Sequence, residues 1–291
     1  MRTTLHFTFD GVSSEDYGLM IYYIGDPGVI EENVWEADII EERLSTRFDP
    51  IHYGVNINKS KTLELIIGSE NYIDRETVEE ILDWFTSHNT YKWLEFDQDD
   101  LSDWRYKVLF SNIQMVGVNG LPFAFRCDVT FDSQYAYEYP TAFVYDIENG
   151  QVKDARGNLA DYATLVNSGK HYGYYYPKMT IEIAEGCDRF TIANETDNPE
   201  RKFILNIPNN FATDDGSDKF IATVDNKNQI MSCNCSNVNI YKQFGDKIND
   251  DAVKFIGNHY FVRLLKGDNK LTFEGSGTVT FNCEFLRKVG A

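Results

Sequence analysis

Five histidines (His6, His52, His88, His171, His259) and five cysteines (Cys127, Cys187, Cys233, Cys235, Cys283) are the side chains best able to serve as base, nucleophile or metal ligand. A zinc site or zinc protease needs them at short fixed spacings, C-x-x-C or H-E-x-x-H, so that two ligands reach one ion from one turn or helix face. Neither spacing occurs, and the histidines fall one to a segment. His6 stands on the polar phase of its strand, whereas Cys127 and Cys283 stand on the apolar phase of theirs and are expected as buried thiols. The acidic run Asp97-Gln98-Asp99-Asp100-Leu101-Ser102-Asp103 invites a calcium reading, but Leu101 occupies a ligand position and no glycine makes the turn. It reads as a solvated hairpin loop. Gly275-Ser276-Gly277 has Thr280 where a phosphate loop needs its third glycine and lacks the G-x-S-x-G elbow, so it reads as a hairpin turn. No carboxylate pair is set apart by apolar neighbours that would raise one pKa for glycoside hydrolysis. Tyr172-Gly173-Tyr174-Tyr175-Tyr176-Pro177 could form an aromatic platform for sugar rings, or pack along an edge strand or between domains. The N-x-S/T triplets at Asn58, Asn194 and Asn234 matter only in a eukaryotic secretory protein and read as chance. No catalytic, cofactor or metal residue is assigned, and no enzyme activity is expected.

Composition supports a folded, acidic protein. Its 291 residues suit two domains, with 42% hydrophobic and 14% aromatic content, the aromatics mostly Tyr and Phe, which favour strands. A formal net charge of -19 argues against a nucleic-acid-binding surface, which needs clustered Lys and Arg to neutralise phosphates. An odd number of dispersed cysteines suits a reducing cytoplasm, and no apolar leader or membrane-length stretch is present, so no membrane insertion is expected.

The one strong helix signal lies between Ile73 and Phe96. Asp74 is placed to cap it, Val78, Ile81, Leu82 and Phe85 recur at helical spacing, and Ile73 can staple to Val78; the end is expected near His88-Asn89. Elsewhere the chain alternates as strands do. Leu5, Phe7 and Phe9 begin it; Leu19 to Ile24 runs up to a turn at Gly25-Asp26-Pro27-Gly28; Leu63, Leu65 and Ile67 lead into the helix. Tyr91 to Phe96, Tyr106 to Phe110 and Phe123 to Phe131 follow, with Asn119-Gly120 as a hairpin turn. Residues 29–60 mix Trp35, Ile39 and Ile40 with many acids, and fit either a projecting hairpin arm covered by a partner or a surface helix. Pro140 and the looser sequence through Asn149-Gly150 set a boundary near 145, giving domains 1–145 and 146–291. The second half reads as short strands (Met179–Ile183, Phe190–Ile192, Phe203–Ile207, Phe220–Val224, Tyr260–Leu264, Leu271–Phe273, Val279–Phe285), hence a sandwich or jelly roll.

The order of these pieces resembles the distal tail proteins (Dit, phage tail component family) of long-tailed, siphovirus-type bacteriophages. The residues carrying it are Phe7-Thr8-Phe9-Asp10-Gly11-Val12-Ser13-Ser14-Glu15-Asp16-Tyr17-Gly18-Leu19, the helix ending in Trp84-Phe85, Lys92-Trp93-Leu94-Glu95-Phe96, Val108-Leu109-Phe110, and Asn119-Gly120 before Phe123 to Phe131. Leu264 to Leu271 with Gly275 and the last aromatic strand complete it. The resemblance spans nearly the whole chain, and each motif alone is a packing or turn feature. It implies a mainly β protein: an N-terminal β-sandwich with one helix and a protruding hairpin, and a C-terminal galectin-like or jelly-roll β-sandwich. It further implies a non-enzymatic, hexameric ring at the virion tail tip, assembled in the host cytoplasm. Such a ring joins the major tail tube protein to the tail-tip or tail-associated lysin protein and to a receptor-binding or baseplate component, and DNA passes its lumen without specific binding. Trp35, Ile39 and Ile40 are the expected interface between neighbouring copies. The rival from another class is a carbohydrate-binding module or adhesin using the tyrosines on host glycan.

Overall fold

The computed structural model describes residues 5–22, 37–43, 48–56, 60–99, 101–154, 156–207, 213–214, 216, 219–235 and 260–288. The turn expected at 25–28, Trp35, Asn58 and His259 lie outside them. The chain divides into two compact units, one running to Tyr139 and taking in the chain again from Leu286, the other spanning Pro140–Phe285.

In unit 1 the strands are β1 (Phe7–Phe9), β2 (Val12–Ser13), β3 (Met20–Tyr22), β4 (Asp38–Glu42), β5 (Ile51–Asn56), β6 (Thr62–Gly68), β7 (Lys92–Phe96), β8 (Trp104–Val118), β9 (Leu121–Phe131) and β10 (Ala136–Glu138), with one α-helix, α1 (Arg75–Thr86), and a short 3-10 turn at Ser14–Tyr17 among the described residues. The antiparallel order is β2-β1-β7-β8-β9-β6-β3, and β10 pairs with the start of β8. Alternation dictates this arrangement: on β9, Phe125, Cys127, Val129 and Phe131 are buried, while Arg126 is exposed. Asn119 and Gly120, at φ 53° and 82°, turn β8 into β9 as a two-residue hairpin requires.

Asp74 caps α1 with Oδ1 accepting from Thr77 N at 3.0 Å and Oδ2 from Thr77 Oγ1 at 3.0 Å. Its buried face is Ile81, Trp84 and Phe85. Trp84 stacks on Phe7 at 5.9 Å and donates Nε1–H to Phe9 O at 2.9 Å, while Phe85 stacks on Phe110 at 4.5 Å. The helix therefore covers one face of the sheet. It ends at Thr86, two residues before the expected His88, where the Ser87 hydroxyl closes back on Asp83 O. Glu79, Glu80 and Asp83 remain on the exposed side.

Unit 2 is built from β11 (Thr141–Glu148), β12 (Gln151–Lys153), β13 (Leu159–Ala160), β14 (Ala163–Asn167), β15 (Lys178–Ile183), β16 (Arg189–Asn194), β17 (Lys202–Asn206), β18 (Phe220–Asp225), β19 (Ile230–Cys233), β20 (Gly267–Glu274) and β21 (Gly277–Cys283). One sheet runs β13-β12-β11-β21-β15-β18-β19, the other β14-β20-β16-β17. Met179, Ile181, Val279 and Phe281 from the first pack with Phe190, Ile192, Leu271 and Phe273 from the second in one core, which makes a β-sandwich. The last strand, β22 (Leu286–Arg287), pairs with β10 in unit 1.

Gly275-Ser276 joins β20 to β21, which pair in different sheets, so the turn expected to close a hairpin instead links the two layers of the sandwich. Gly275 has φ +97°, and a Cβ there would lie 2.5 Å from Arg189 O, so glycine is required twice over. Two further expectations change. The stretch at 141–153, read as loose boundary sequence, is the hairpin β11–β12, turned by Asn149-Gly150 at φ 51° and 83°. Tyr260–Leu264 is not a strand: only Leu264 bridges, to Tyr175, and Val262 N donates to the Asn226 side chain rather than to a ladder.

Candidate assembly surface

Groups that could have done chemistry are mostly committed to folding. Burial pushes the Cys127 and Cys283 thiols up to about 12, so both are protonated and poor nucleophiles near neutral pH. The Cys187 thiol donates to Arg189 O at 3.1 Å. Ser276 Oγ accepts from Asn149 N at 2.9 Å and so ties two turns together. His6 Nδ1 lies 3.0 Å from Leu19 O, and the His88 ring sits edge-on to Phe9 at 5.4 Å. Burial lowers the His171 pKa, and His52 is exposed on β5. Among the described residues no three His, Cys, Asp or Glu side chains converge where they could hold a metal ion. Asn194 is 5% exposed, donating Nδ2–H to Arg263 O and to Asn269 Oδ1; Asn234 accepts from Ile221 N and donates to Lys219 O. These triplet asparagines act in folding.

The tyrosine segment divides by role. Tyr175 is half-buried, and its hydroxyl accepts from Glu284 N at 2.6 Å. Tyr174 lies 3.6 Å under the Arg263 guanidinium, whose Nε and Nη2 donate to Asp197 at 2.8 and 3.0 Å. Arg201 reaches the same carboxylate at 3.4 Å and covers the Tyr260 ring at 4.5 Å. Arginine, carboxylate and ring faces thus occupy one another, and Tyr172, 71% exposed, is the tyrosine left most open.

Unit 1 carries the surfaces that a single chain leaves unfilled. In the β4–β5 hairpin Asp38 pairs with Asn56, Ile39 with Val55 and Ile40 with Gly54, with a bulge before Glu41. Where it is described, this region is therefore a hairpin and not a surface helix. Ile39 (66% exposed) and Ile40 (50%) are successive, so they point to opposite faces, and both faces are wet in one chain. Tyr53 and Val55 are also exposed, and Phe48, before β5, is entirely so. Tyr53 hydroxyl donates to Glu42 at 2.7 Å, a bond that raises its pKa, and Arg43 pairs with Glu41 at 2.9 Å. An apolar stripe inside an acidic frame is the arrangement of an interface core with a polar rim. Ile39 and Ile40 thus sit together on this hairpin, and Trp35 lies outside the described residues.

A second surface went unread in the sequence. Beyond a bulge at Asn112 (φ 51°), β8 and β9 continue as a hairpin carrying Met115, Val116, Val118 and Leu121, all exposed. The available signal was charge: from Ser111 to Phe125 the chain has no Asp, Glu, Lys or Arg. Nearer the body of the sheet Arg105 stacks at 3.7 Å on Trp93, Lys107 lies 4.7 Å from the same ring, and Tyr139 hydroxyl donates to Glu95 at 2.8 Å.

Residues 2–133 match the family described as phage tail protein N-terminal domain. No curated protein matches the sequence. Among solved structures, the Dit protein (gp 19.1) of phage SPP1, described as a paradigm of the hub adsorption apparatus in Gram-positive-infecting phages, aligns with a TM-score of 0.63 at 10% identity over 97% of this chain and 100% of that one. A chain of the phage P2 baseplate in its activated conformation aligns with a TM-score of 0.52 at 10% identity over 100% of this chain and 99% of that one.

Proposed function

From the premise that residues 2–133 are a phage tail protein N-terminal domain within a chain of distal-tail-protein fold, we propose a structural hub: a hexameric ring joining the tail tube to the tail tip or baseplate. The observation that carries this reading is the exposed β4–β5 hairpin, with Ile39 and Ile40 on opposite faces amid Asp38, Glu41 and Glu42. A closed ring needs a heterologous contact, and a hairpin wet on both faces suits insertion against a neighbour. The ring acts without catalysis or cofactor. Its neighbours are the tube protein on one side and a tail-tip lysin, baseplate component or receptor-binding protein on the other, at the virion tail tip after assembly in the host cytoplasm. Unit 2 serves as a galectin-like domain of the hub. With a charge of -19 per copy, DNA crosses the lumen without a counterion-release gain to hold it there.

Native mass spectrometry of the full chain tests the ring. The expected mass is that of the hexamer, and replacing Trp35, Ile39 and Ile40 by Asp is expected to leave monomers. An arm variant that still forms rings would remove the hairpin from the interface, and a ring that retards duplex DNA in a gel at about 0.15 M salt would remove the lumen argument. The second reading, a glycan-binding module, rests on exposed Tyr172; a monomer with glycan-array signal would favour it.

A further inference from the structure

Asn-Gly occurs twice in the chain, at Asn119-Gly120 and Asn149-Gly150, and both pairs fill two-residue hairpin turns. Their backbones match: φ is 53° and 82° at the first pair, 51° and 83° at the second. What differs is the hold on the glycine. Gly150 N–H donates to Gly275 O at 2.7 Å, a Cβ on Gly150 would lie 3.0 Å from Phe273 O, and Asn149 N–H donates to Ser276 Oγ at 2.9 Å. Gly120 stands in the open. Apart from its chain neighbours nothing lies within 4 Å of where its Cβ would be, its N–H donates to no backbone carbonyl among the described residues, and Asn119 is exposed.

We propose that Asn119 is a site of spontaneous deamidation, and that Asn149 is the same motif held shut by the Gly275-Ser276 turn. Asparagine is a labile residue, and a following glycine leaves the attacking nitrogen unshielded because it carries no Cβ. The deprotonated Gly120 nitrogen adds to the Asn119 side-chain carbonyl carbon; a C–N bond forms there, the bond to the side-chain nitrogen breaks, and ammonia leaves with a proton from solvent. Water then opens the cyclic imide at one carbonyl to give aspartate at position 119, or at the other to give isoaspartate. The reaction needs a free nitrogen, and the hydrogen bond and close packing at Gly150 deny one. From Ser111 to Phe125 the chain has no Asp, Glu, Lys or Arg, so either product puts the first charge into that run, between the exposed Val118 and Leu121. Aspartate still suits the turn, whereas isoaspartate lengthens the main chain and does not. A copy thus loses its neutral tip with age, by chemistry that runs in a single copy and needs no ring.

The test incubates the full chain at mildly alkaline pH in heavy-oxygen water and then digests it in ordinary water with trypsin, which cuts after Lys107, Arg126 and Lys153 and so puts the two pairs on separate peptides. Peptide 108–126 is expected to gain heavy-oxygen acid, as aspartate and isoaspartate, at least about five-fold faster than peptide 127–153, the factor that one net backbone hydrogen bond contributes. In urea, where both turns are open, the two rates are expected to converge. Asn119→Gly, which also suits the turn, is expected to silence peptide 108–126. No conversion at Asn119, equal rates in the folded chain, a faster Asn149, a ratio that survives urea or a signal that persists in the variant overturns the proposal.

Discussion

Asn269 has none of its side chain accessible, yet it carries five polar contacts. Its Nδ2 donates to Leu165 O, Leu265 O and Gly267 O at 3.3, 2.8 and 2.9 Å, and its Oδ1 accepts from Leu265 N and Asn194 Nδ2 at 2.8 and 2.9 Å. With Asn226, which accepts from Val262 N and donates to Pro177 O, it holds the segment at 260–266 by amides where no strand ladder does. Asn269→Ala would strip partners from several buried carbonyls at once, and a loss of roughly 3 kcal/mol in urea unfolding is expected, well beyond a surface change. None of this was legible in Gly267-Asp268-Asn269, which has a turn composition. Composition identifies groups that can bond backbone, but which carbonyls a sheet leaves over is settled only by the pairing of distant segments.

At the level of elements, α1 is the part most fully written in the sequence. Asp74, Ile73 and the spacing of Ile81 and Phe85 fixed its start and its face, while Trp84 joined that face through its indole, which sits on the stripe and reaches Phe9 O. Trp84→Ala is expected to cost about 4 kcal/mol from the lost burial and the cavity, whereas Trp84→Phe keeps the stacking and loses chiefly the single Nε1–H bond; thermal unfolding of the two variants separates these contributions. Strands with a wet face and a dry face were equally readable, as β9 shows. The hairpin β11–β12 was not, because its Phe143 and Tyr145 are only partly buried and Pro140 and Asn149-Gly150 outweighed them as signs of a boundary. The assembly surface divides likewise. Ile39 and Ile40 stood out as hydrophobes among acids, whereas the β8–β9 tip looked like ordinary strand until its exposure was known.

For the whole molecule, connectivity matters more than any one contact. Tyr137 pairs with Leu286, and Thr141 pairs with Cys283, so the two strands leaving each unit lie side by side. Unit 2 is therefore an insertion between β10 and β22. Replacing residues 140–285 by a two-residue Asn-Gly turn is expected to give a unit 1 that melts cooperatively with its β10–β22 hairpin closed, as circular dichroism and amide protection of Tyr137 would report. An unfolded product would mean that unit 1 depends on the inserted domain. The Glu138–Arg287 ion pair sits on that hairpin, joining residues far apart in the chain. A ribosome meets them in sequence order, so unit 1 lacks its final strand until residue 287 has been made, and the inserted domain is complete before the one that contains it. Nascent chains halted before that point would expose the open side of β10, which makes the synthesis of β22 a checkpoint on which copies have a closed unit 1 before they meet.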